Sequence, residues 1–213
     1  MSTGKDPIGV GLLGLGVVGS GVATILSQKA EQIYSYVGSR LVLKRILVRD
    51  PSKQRPQEVS SDLITTDYNK VLQDPSIHII IEVLGGEYPA EQYIQQALQM
   101  GKHVVTANKE VMAKHGTELL ALAAEHGVGL MYEASVGGGI PLIAPFNHDL
   151  IANRIQGIQA IINGTTNYIL TRMAREDADL QPILDQAREL GYAEPDPTND
   201  IEGIDAAYKL AIL

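Results

Sequence analysis

Two kinds of apolar segment alternate along the chain as far as Tyr132. Short segments rich in aliphatic and β-branched residues predict buried strands, whereas longer segments with apolar residues three or four apart predict helices. The predicted strands are Ile8–Leu13, Leu41–Val48, Ile77–Val83, His103–Thr106 and Val128–Tyr132. The predicted helices are Val18–Tyr36, Ala90–Met100 and Thr117–His126. This alternation predicts an α/β fold with a doubly wound, mostly parallel sheet that is covered on both faces.

The pattern changes after this point. Glu133–Pro141 carries three consecutive glycines, which predicts a hinge or a binding turn. The segments beyond it predict one strand and then helices, namely Arg154–Ile162, Thr165–Arg175, Leu180–Leu190 and a last helix from about Ile201. That last helix is still apolar and periodic at Leu213 and has no stop signal, so we expect this chain to be part of a longer protein. We expect one domain over residues 1–134 and the first part of an α+β domain over residues 135–213.

Composition and charge narrow the range of functions. The 213 residues are 45% hydrophobic and carry a net charge of −8, which argues against nucleic acid as a partner. The chain has no cysteine, which excludes thiolate zinc sites and cysteine nucleophiles and fits a reducing cytoplasm. Ile8–Leu26 is uncharged over 19 residues, but six of them are glycine, so a membrane-spanning helix is not expected there.

A glycine-rich loop follows the first predicted strand and opens the first predicted helix. Its sequence is Gly14-Leu15-Gly16-Val17-Val18-Gly19, a G-x-G-x-x-G pattern. In dinucleotide-binding folds the first glycine makes the tight turn, the second admits the pyrophosphate and the third lets helix and strand pack closely. We therefore predict a Rossmann-type domain that binds NAD or NADP. The alternative is a tight turn that binds no ligand.

The second predicted strand ends at Val48-Arg49-Asp50, where such folds recognise the adenine ribose. An acidic residue there favours NAD, and an arginine accommodates the extra phosphate of NADP. Arg49, with Lys53 and Arg55 nearby, favours NADP, but a solvated basic turn would look the same. The choice between the two cofactors stays open.

Two lysines are candidates for chemistry. Lys109 lies in Thr106–Glu110, directly after a strand end, where open α/β sheets bind ligands. Asp205 and Lys209 are four residues apart on one predicted helix, so their side chains share a face. Together with the acidic segment Glu194–Asp200 they would suit a small zwitterionic substrate. The alternative interpretations are a solvent-facing lysine and a surface ion pair.

Taken together, these motifs resemble the homoserine dehydrogenase family. The matching segments are GLGVVGSGV (Gly14–Val22), TANKE (Thr106–Glu110), EASVGGGIPLI (Glu133–Ile143), NGTTNYIL (Asn163–Leu170) and ELGYAEPDPTNDIEGIDAAYKLAIL (Glu189–Leu213). The resemblance implies oxidation of L-homoserine to L-aspartate 4-semialdehyde with NAD(P), run in the cell mostly as the reduction, in threonine, methionine and isoleucine biosynthesis.

The resemblance also implies a set of site residues, with Lys209 as general acid and base and with Glu194 and Asp205 holding the substrate amino group and orienting that lysine. The implied catalytic and substrate-binding residues are Lys209, Asp205, Glu194, Lys109, Thr165, Tyr192 and Asp200. The expected cofactor-binding residues are Gly14, Leu15, Gly16, Val17, Val18, Gly19, Arg49, Gly85, Thr106 and Lys109.

Two further features are implied by the resemblance. A monovalent cation, usually sodium, would be held at the hinge by the side chain of Glu133 and the carbonyl oxygens of Val136, Gly138 and Ile140, since oxygen ligands suit a hard cation. The alternative is a hinge without a metal. Family members pair through a sheet in the second domain, so we expect a homodimer to which Arg154–Ile162 contributes.

Two other functions compete with this one. Aspartate-semialdehyde dehydrogenase needs a cysteine nucleophile and is excluded by the composition. A non-catalytic dinucleotide-binding module, or an inactive fragment of a dehydrogenase, is the second alternative. Family members continue well past the last helix, so the activity of this chain by itself is left open.

Overall fold

The computed structural model describes residues 6–53, 55, 59–193 and 196–213. The chain divides into two compact units, Met1–Ser135 and Val136–Leu213. The first is built around a parallel sheet, and the regular elements in the described part of the second are helices.

Six parallel strands form the sheet of the first unit, in the spatial order β3-β2-β1-β4-β5-β6. The strands are β1 (Ile8–Leu13), β2 (Leu41–Leu47), β3 (Ile64–Thr65), β4 (Ile79–Glu82), β5 (His103–Thr106) and β6 (Leu130–Met131). The chain moves outward from β1 to β3 and then returns to the other side of β1, where Leu13 pairs with Glu82 of β4. This confirms the Rossmann-type sheet and places the reversal of strand order between β1 and β4.

The helices of the first unit are α1 (Val17–Gln28), α2 (Ala30–Val37), α3 (Asn69–Leu72), α4 (Ala90–Gln99) and α5 (Lys109–Glu125). The prediction of one helix over Val18–Tyr36 is wrong, because the backbone leaves the helical region at Lys29 (φ −106°, ψ 15°). Helix α5 begins eight residues before the predicted Thr117, since the side chain of Asn108 caps it by accepting the N–H of Val111. The two-residue strand β3 was not predicted, because it is too short to show a period.

One buried lysine links two turns at the amino end of the sheet. Only 6% of Lys102 is exposed, and its ammonium group donates to the carbonyl oxygens of Asp74, at 2.9 Å, and Ile77, at 2.6 Å. Burial lowers the pKa of Lys102 from its ordinary value, because desolvation penalises the charged form. The carbonyl oxygen of Asp74 also accepts the N–H of Ile77 at 3.1 Å, so the ammonium group adds a second donor to this turn.

The second unit contains α6 (Gly164–Glu176), α7 (Leu180–Glu189), α8 (Thr198–Ile201) and α9 (Ile204–Ile212). Its apolar core joins α6 to α7 and consists of Ile169, Ile183, Leu184, Ala187 and Ala193. Asn163 caps α6 by accepting the N–H of Thr166. The predicted helices Thr165–Arg175 and Leu180–Leu190 are confirmed within one residue at each end.

The predicted strand over Arg154–Ile162 is wrong for this chain. These residues form neither helix nor strand, and nearly all of them are exposed. A β-strand needs a neighbour for its ladder of hydrogen bonds, and no other strand of the second unit is present among the described residues. The glycine-rich segment Ile8–Leu26 forms a strand, a loop and part of a helix. In the described part of the chain, no helix has the length and apolar character needed to cross a membrane.

We expect Lys102→Met to lower the free energy of unfolding by about 1–3 kcal/mol, because the carbonyl oxygen of the buried residue Ile77 loses the Lys102 donor and that of Asp74 loses one of its two donors. The measurement is chemical denaturation at pH 7. Lys70→Met, at an exposed lysine of α3, serves as the matched control and should change stability by less than about 0.5 kcal/mol. Equal effects of the two substitutions would show that the Lys102 contacts contribute nothing.

Candidate functional site

The predicted cofactor-binding residues of the first unit all lie at the carboxyl edge of the sheet. The glycine loop follows β1, Arg49 follows β2, Gly85 follows β4, Thr106 ends β5 and Lys109 opens α5. In open α/β sheets, ligands bind at this edge beside the reversal of strand order. The fold therefore brings these residues to the edge at which a dinucleotide is expected.

The three glycines of the loop have the three different environments that a pyrophosphate site requires. Gly14 has φ +102°, and an added Cβ would lie 2.8 Å from the carbonyl oxygen of Val83. A Cβ on Gly19 would lie 2.2 Å from the carbonyl oxygen of Gly14, so α1 packs directly on the loop. A Cβ on Gly16 would meet no atom of the described residues within 4 Å. Packing thus explains Gly14 and Gly19, whereas Gly16 borders open space, as the second glycine of a pyrophosphate loop does.

The amino end of α1 is suited to bind an anion. The first hydrogen bond of the helix runs from the N–H of Ser20 to the carbonyl oxygen of Gly16, so the N–H groups of Val17, Val18 and Gly19 lie outside the helix ladder. No side chain of residues 6–53, 55, 59–193 or 196–213 caps this end, and its first turn has no acidic residue. Such free N–H groups and the helix dipole favour a phosphate, and the residues present fit the diphosphate of a dinucleotide.

The two arginines after β2 have different surroundings. The Arg55 guanidinium donates to the carbonyl oxygens of Leu15, at 2.9 Å, and Asp50, at 2.7 Å, so it ties the glycine loop to the segment after β2. Arg49 is exposed and borders a cavity of about 320 Å³ together with Gly85 and Tyr88. Arg49 is therefore the arginine at the cavity, and a preference for NADP stays a prediction.

Sequence reasoning missed a buried carboxylate at the same edge of the sheet. Glu82 is fully buried, and it accepts the N–H of Leu84 at 2.8 Å and the hydroxyl of Thr106 at 2.6 Å. The amide of Asn108 lies 3.5 Å from the same carboxylate and donates to the carbonyl oxygen of Gly86 at 2.7 Å. This network fixes the loops after β4 and β5 to each other. A glutamate inside an otherwise apolar strand was the signal that could have revealed it.

Thr106 belongs to this network, and Lys109 follows it in the chain. The hydroxyl of Thr106 is buried and is used internally, because it donates to Glu82 and accepts the N–H of Asn108. Lys109 lies in the first turn of α5, beside the cap residue Asn108. The roles of both residues toward a cofactor or substrate stay predictions.

A surface ion network holds the loop that contains Gly85 against α5. Glu87 contacts Lys114 at 2.6 Å and His115 at 2.8 Å. The hydrogen bond from Lys114 contributes most to the lowering of the Glu87 pKa to about 2, and the hydrogen bond with His115 contributes next. A carboxylate with a lowered pKa stabilises the fold above its ordinary pKa, and the stabilisation is lost as the pH falls toward 2. The loop is thus held throughout the neutral range.

The second unit contains a polar cavity of about 980 Å³ around the predicted catalytic lysine. The Lys209 ammonium contacts Asp205 at 2.8 Å and donates to the carbonyl oxygen of Ile162 at 2.6 Å. The side chain of Asp205 is 3% exposed and that of Lys209 is 17% exposed. Two of the three N–H groups of Lys209 are thus engaged, which leaves one for a ligand. Asp205 is buried and Lys209 is half-buried in the wall of a cavity, so the two side chains do not form a fully exposed surface ion pair.

Other predicted residues line the same cavity. The hydroxyl of Thr165 donates to the carbonyl oxygen of Tyr192 at 2.7 Å, and Asp200 accepts from the amide of Asn163 at 2.7 Å. The third predicted catalytic residue, Glu194, lies outside the described residues. Asn163 was not predicted, although it heads the NGTTNYIL motif, because only the folded chain shows which side chains its amide contacts.

The predicted cation ligands are divided between the two units, with Glu133 in the first and Val136, Gly138 and Ile140 in the second. Gly138 adopts φ +60°, and the N–H of Ile140 donates to the carbonyl oxygen of Gly137 at 3.1 Å, so the three glycines form a tight turn. No cluster of three or more histidine, aspartate or glutamate side chains able to hold a metal ion occurs in the described part of the chain. The sodium site, which depends mainly on carbonyl oxygens, stays a prediction.

Comparison with known families shows to which family the chain belongs. The profile described as "Homoserine dehydrogenase, NAD binding domain" matches residues 14–133, more than half of the chain. The profile described as "Homoserine dehydrogenase" matches residues 141–213. The chain belongs to the homoserine dehydrogenase family. The family resemblance of the motifs is confirmed, and the unit that contains the glycine loop is the NAD-binding domain of this family.

Individual homoserine dehydrogenases agree with this assignment. The chain is 46% identical over 206 residues to that of Bacillus subtilis, covering 97% of this chain and 48% of the relative. The crystal structure of that of Thiobacillus denitrificans matches with a TM-score of 0.89 at 47% identity, over 96% of this chain and 47% of that chain. A hyperthermophilic archaeal one, in complex with NADPH, matches with a TM-score of 0.84 at 28% identity, over 98% of this chain and 68% of that chain. The chain spans about half the length of the curated relatives it matches.

Two glycines of α1 allow a matched test of the packing in the glycine loop. We expect Gly19→Ala to destabilise the first unit by about 1–3 kcal/mol, because its Cβ would overlap the carbonyl oxygen of Gly14. Gly21→Ala places its Cβ in open space two residues later, and should be neutral or stabilising by up to about 1 kcal/mol. Thermal and chemical denaturation measure both. Equal stabilities of the two variants would contradict the close contact of helix and loop.

Proposed function

We propose that the chain interconverts L-homoserine and L-aspartate 4-semialdehyde with NAD or NADP. The observation that carries the proposal is the half-buried Lys209 ammonium in the wall of a polar cavity, held by Asp205, in a member of the homoserine dehydrogenase family. An ammonium group with one N–H left for a ligand is suited to a reaction in which an oxygen atom gains and loses a proton.

In the reduction, Lys209 protonates the substrate oxygen. Bound NADH or NADPH supplies the hydride that adds to the aldehyde carbon. The electron pair of the C=O bond moves to oxygen, and the Lys209 ammonium stabilises that charge and then donates its proton, which gives the alcohol. In the oxidation, neutral Lys209 accepts the hydroxyl proton. Asp205 holds the lysine in place in both directions through its contact at 2.8 Å.

Carboxylates and polar groups around the cavity fit a zwitterionic amino acid. Asp200 and Asp205 are acceptors for a substrate ammonium group, while Thr165 and Tyr192 contribute polar atoms to the cavity wall. We assign Glu194 to the same ammonium group, and Lys109 to a position between cofactor and substrate, on the resemblance of their motifs to the family.

The remaining assignments follow the same resemblance. We propose that sodium binds at the hinge formed by Glu133 and the following glycines, and that the protein acts in the cytoplasm, which its lack of cysteine supports. We further propose a homodimer that pairs through residues 154–162. In this segment Ile155, Ile158 and Ile161 are exposed by 47%, 39% and 77%, and the backbone has no strand partner.

The proposed role of Lys209 predicts that Lys209→Ala lowers kcat for homoserine by about 10²–10⁴-fold, because the proton acceptor is lost. The NADP Kd should be nearly unchanged. Lys29→Ala, at an exposed lysine of the first unit, is the control and should leave both values unchanged. Steady-state formation of NADPH and fluorescence titration measure the two quantities. A collapse of cofactor affinity would show that Lys209 is structural, and cofactor binding by the wild type without any turnover would favour the non-catalytic module.

The open space at Gly16 predicts a separation of stability from cofactor binding. We expect Gly16→Ala to leave the unfolding transition unchanged, since its Cβ would meet no atom within 4 Å in the part of the chain that the structure describes. The same Cβ would occupy the path of the pyrophosphate, so NADP affinity should fall by at least about tenfold. Unchanged affinity for both NAD and NADP would place the diphosphate elsewhere.

A further inference from the structure

The side-chain amide of Asn163 lines the polar cavity in the second unit, and all of its hydrogen-bonding groups have partners. Asn163 is 7% exposed and precedes α6. Its Oδ1 accepts the N–H of Thr166 at 2.7 Å and the hydroxyl of Thr166 at 2.9 Å. Its Nδ2 donates to Asp200 Oδ1 at 2.7 Å and to Asp205 Oδ2 at 2.8 Å. A carboxamide has two donor hydrogens and two acceptor lone pairs, and all four are used here.

These partners also fix the orientation of the amide. The backbone N–H of Thr166 can only donate, so Oδ1 must face it, and Nδ2 must then face the two carboxylates. The opposite orientation would set an N–H against an N–H and an oxygen against two carboxylate oxygens. Because the contact with Thr166 is also the cap of α6, the start of that helix determines where the two N–H donors point.

We propose that Asn163 is the positioning residue of this site: it joins the carboxylates of Asp200 and Asp205 and so sets the place of the substrate ammonium group and of Lys209. Asp200 belongs to α8, and Asp205 belongs to α9, so the bridge joins two helices to the start of a third. Asp205 Oδ2 accepts from both Asn163 and Lys209, so the position of the lysine follows from the bridge. This inference rests on the proposed function for its reaction.

The Asn163 amide donates two hydrogen bonds and is neutral, so it does not change the charge of the groups that it joins. Asp200, Asp205 and Lys209 carry a formal charge of −1 together, and the amide stabilises both carboxylates without adding a positive charge. An arginine or lysine in place of Asn163 would neutralise the group. The amide therefore leaves a carboxylate charge for a cationic ligand, which matches the ammonium group of an amino acid. Arg172 and Arg175 of α6 also line the cavity but are not members of this group of three, and Arg172 forms an ion pair with Glu176.

The test replaces the amide by a carboxyl group of nearly the same shape. In Asn163→Asp the introduced group faces Asp200 and Asp205, and this clustering of three carboxylates raises its pKa. When protonated it can donate one of the two lost hydrogen bonds, and when ionised it donates none. Relative to wild type, kcat/KM for homoserine should therefore fall by about 100-fold or more at pH 8 and recover by at least about fivefold at pH 6. The Tm deficit of the same variant should also shrink at pH 6.

Two variants control for charge and for simple loss of the side chain. Asn199→Asp adds the same charge at an exposed position of α8, next to Asp200, and should keep wild-type values at both pH values. Asn163→Ala should raise the KM for homoserine and lower Tm by amounts that do not differ between pH 6 and pH 8, because it introduces no titrating group. A purely structural asparagine would give Asn163→Asp a Tm deficit that shrinks at pH 6 without any recovery of kcat/KM for homoserine.

The outcomes separate this inference from the proposed function. If wild type turns over homoserine and Asn163→Asp shows no recovery at pH 6, the positioning role is wrong and the function stands. If wild type shows no turnover with NAD or NADP, the proposed function is wrong for this chain. In that case the Tm of Asn163→Asp tests whether Asn163 joins Asp200 and Asp205. A Tm deficit that shrinks at pH 6 supports this bridge, and a constant deficit overturns it.

Discussion

The chemistry of the second unit depends on one buried carboxylate. Asp205 is 3% exposed, and a single one of its oxygen atoms accepts from the Lys209 ammonium and from the Asn163 amide. A buried charge without partners would be costly, so these donors are a condition for its ionised state. The same contacts hold the lysine in the wall of the cavity and leave it one N–H for a ligand. The reaction proposed for this chain therefore depends on the hydrogen bonds that Lys209 and Asn163 donate to this carboxylate.

Much of the fold could be predicted because the decisive signals are local. The apolar segments gave the order of strands and helices, and the glycine loop placed a phosphate site at the carboxyl end of β1. The break at Lys29 and the early start of α5 were missed, since each depends on one backbone angle or one cap. Residues 154–162 have a strand pattern but no strand, because β structure requires a partner that this sequence alone does not supply.

The site was only partly predictable from the sequence. Asp205 and Lys209 could be paired because helical spacing puts them on one face. Glu82 and Asn163 were missed because their side-chain partners in other elements are 24 to 42 residues away along the chain, and only the folded structure brings those groups together. Both are polar groups that hold neighbouring elements in register at a ligand-binding edge or cavity. Spacing rules find residues that share an element, and they do not find residues that join different elements.

The most direct test of this account is the ¹⁵N spectrum of the lysine ammonium groups at neutral pH. Hydrogen-bonded ammonium groups shielded from water exchange slowly enough to be observed, so Lys209 should give a resonance that is absent in Lys209→Met. L-homoserine should shift that resonance and leave the buried Lys102 unchanged, because Lys209 is the one described lysine that borders the polar cavity. A Lys209 resonance that does not move at saturating homoserine would contradict the account.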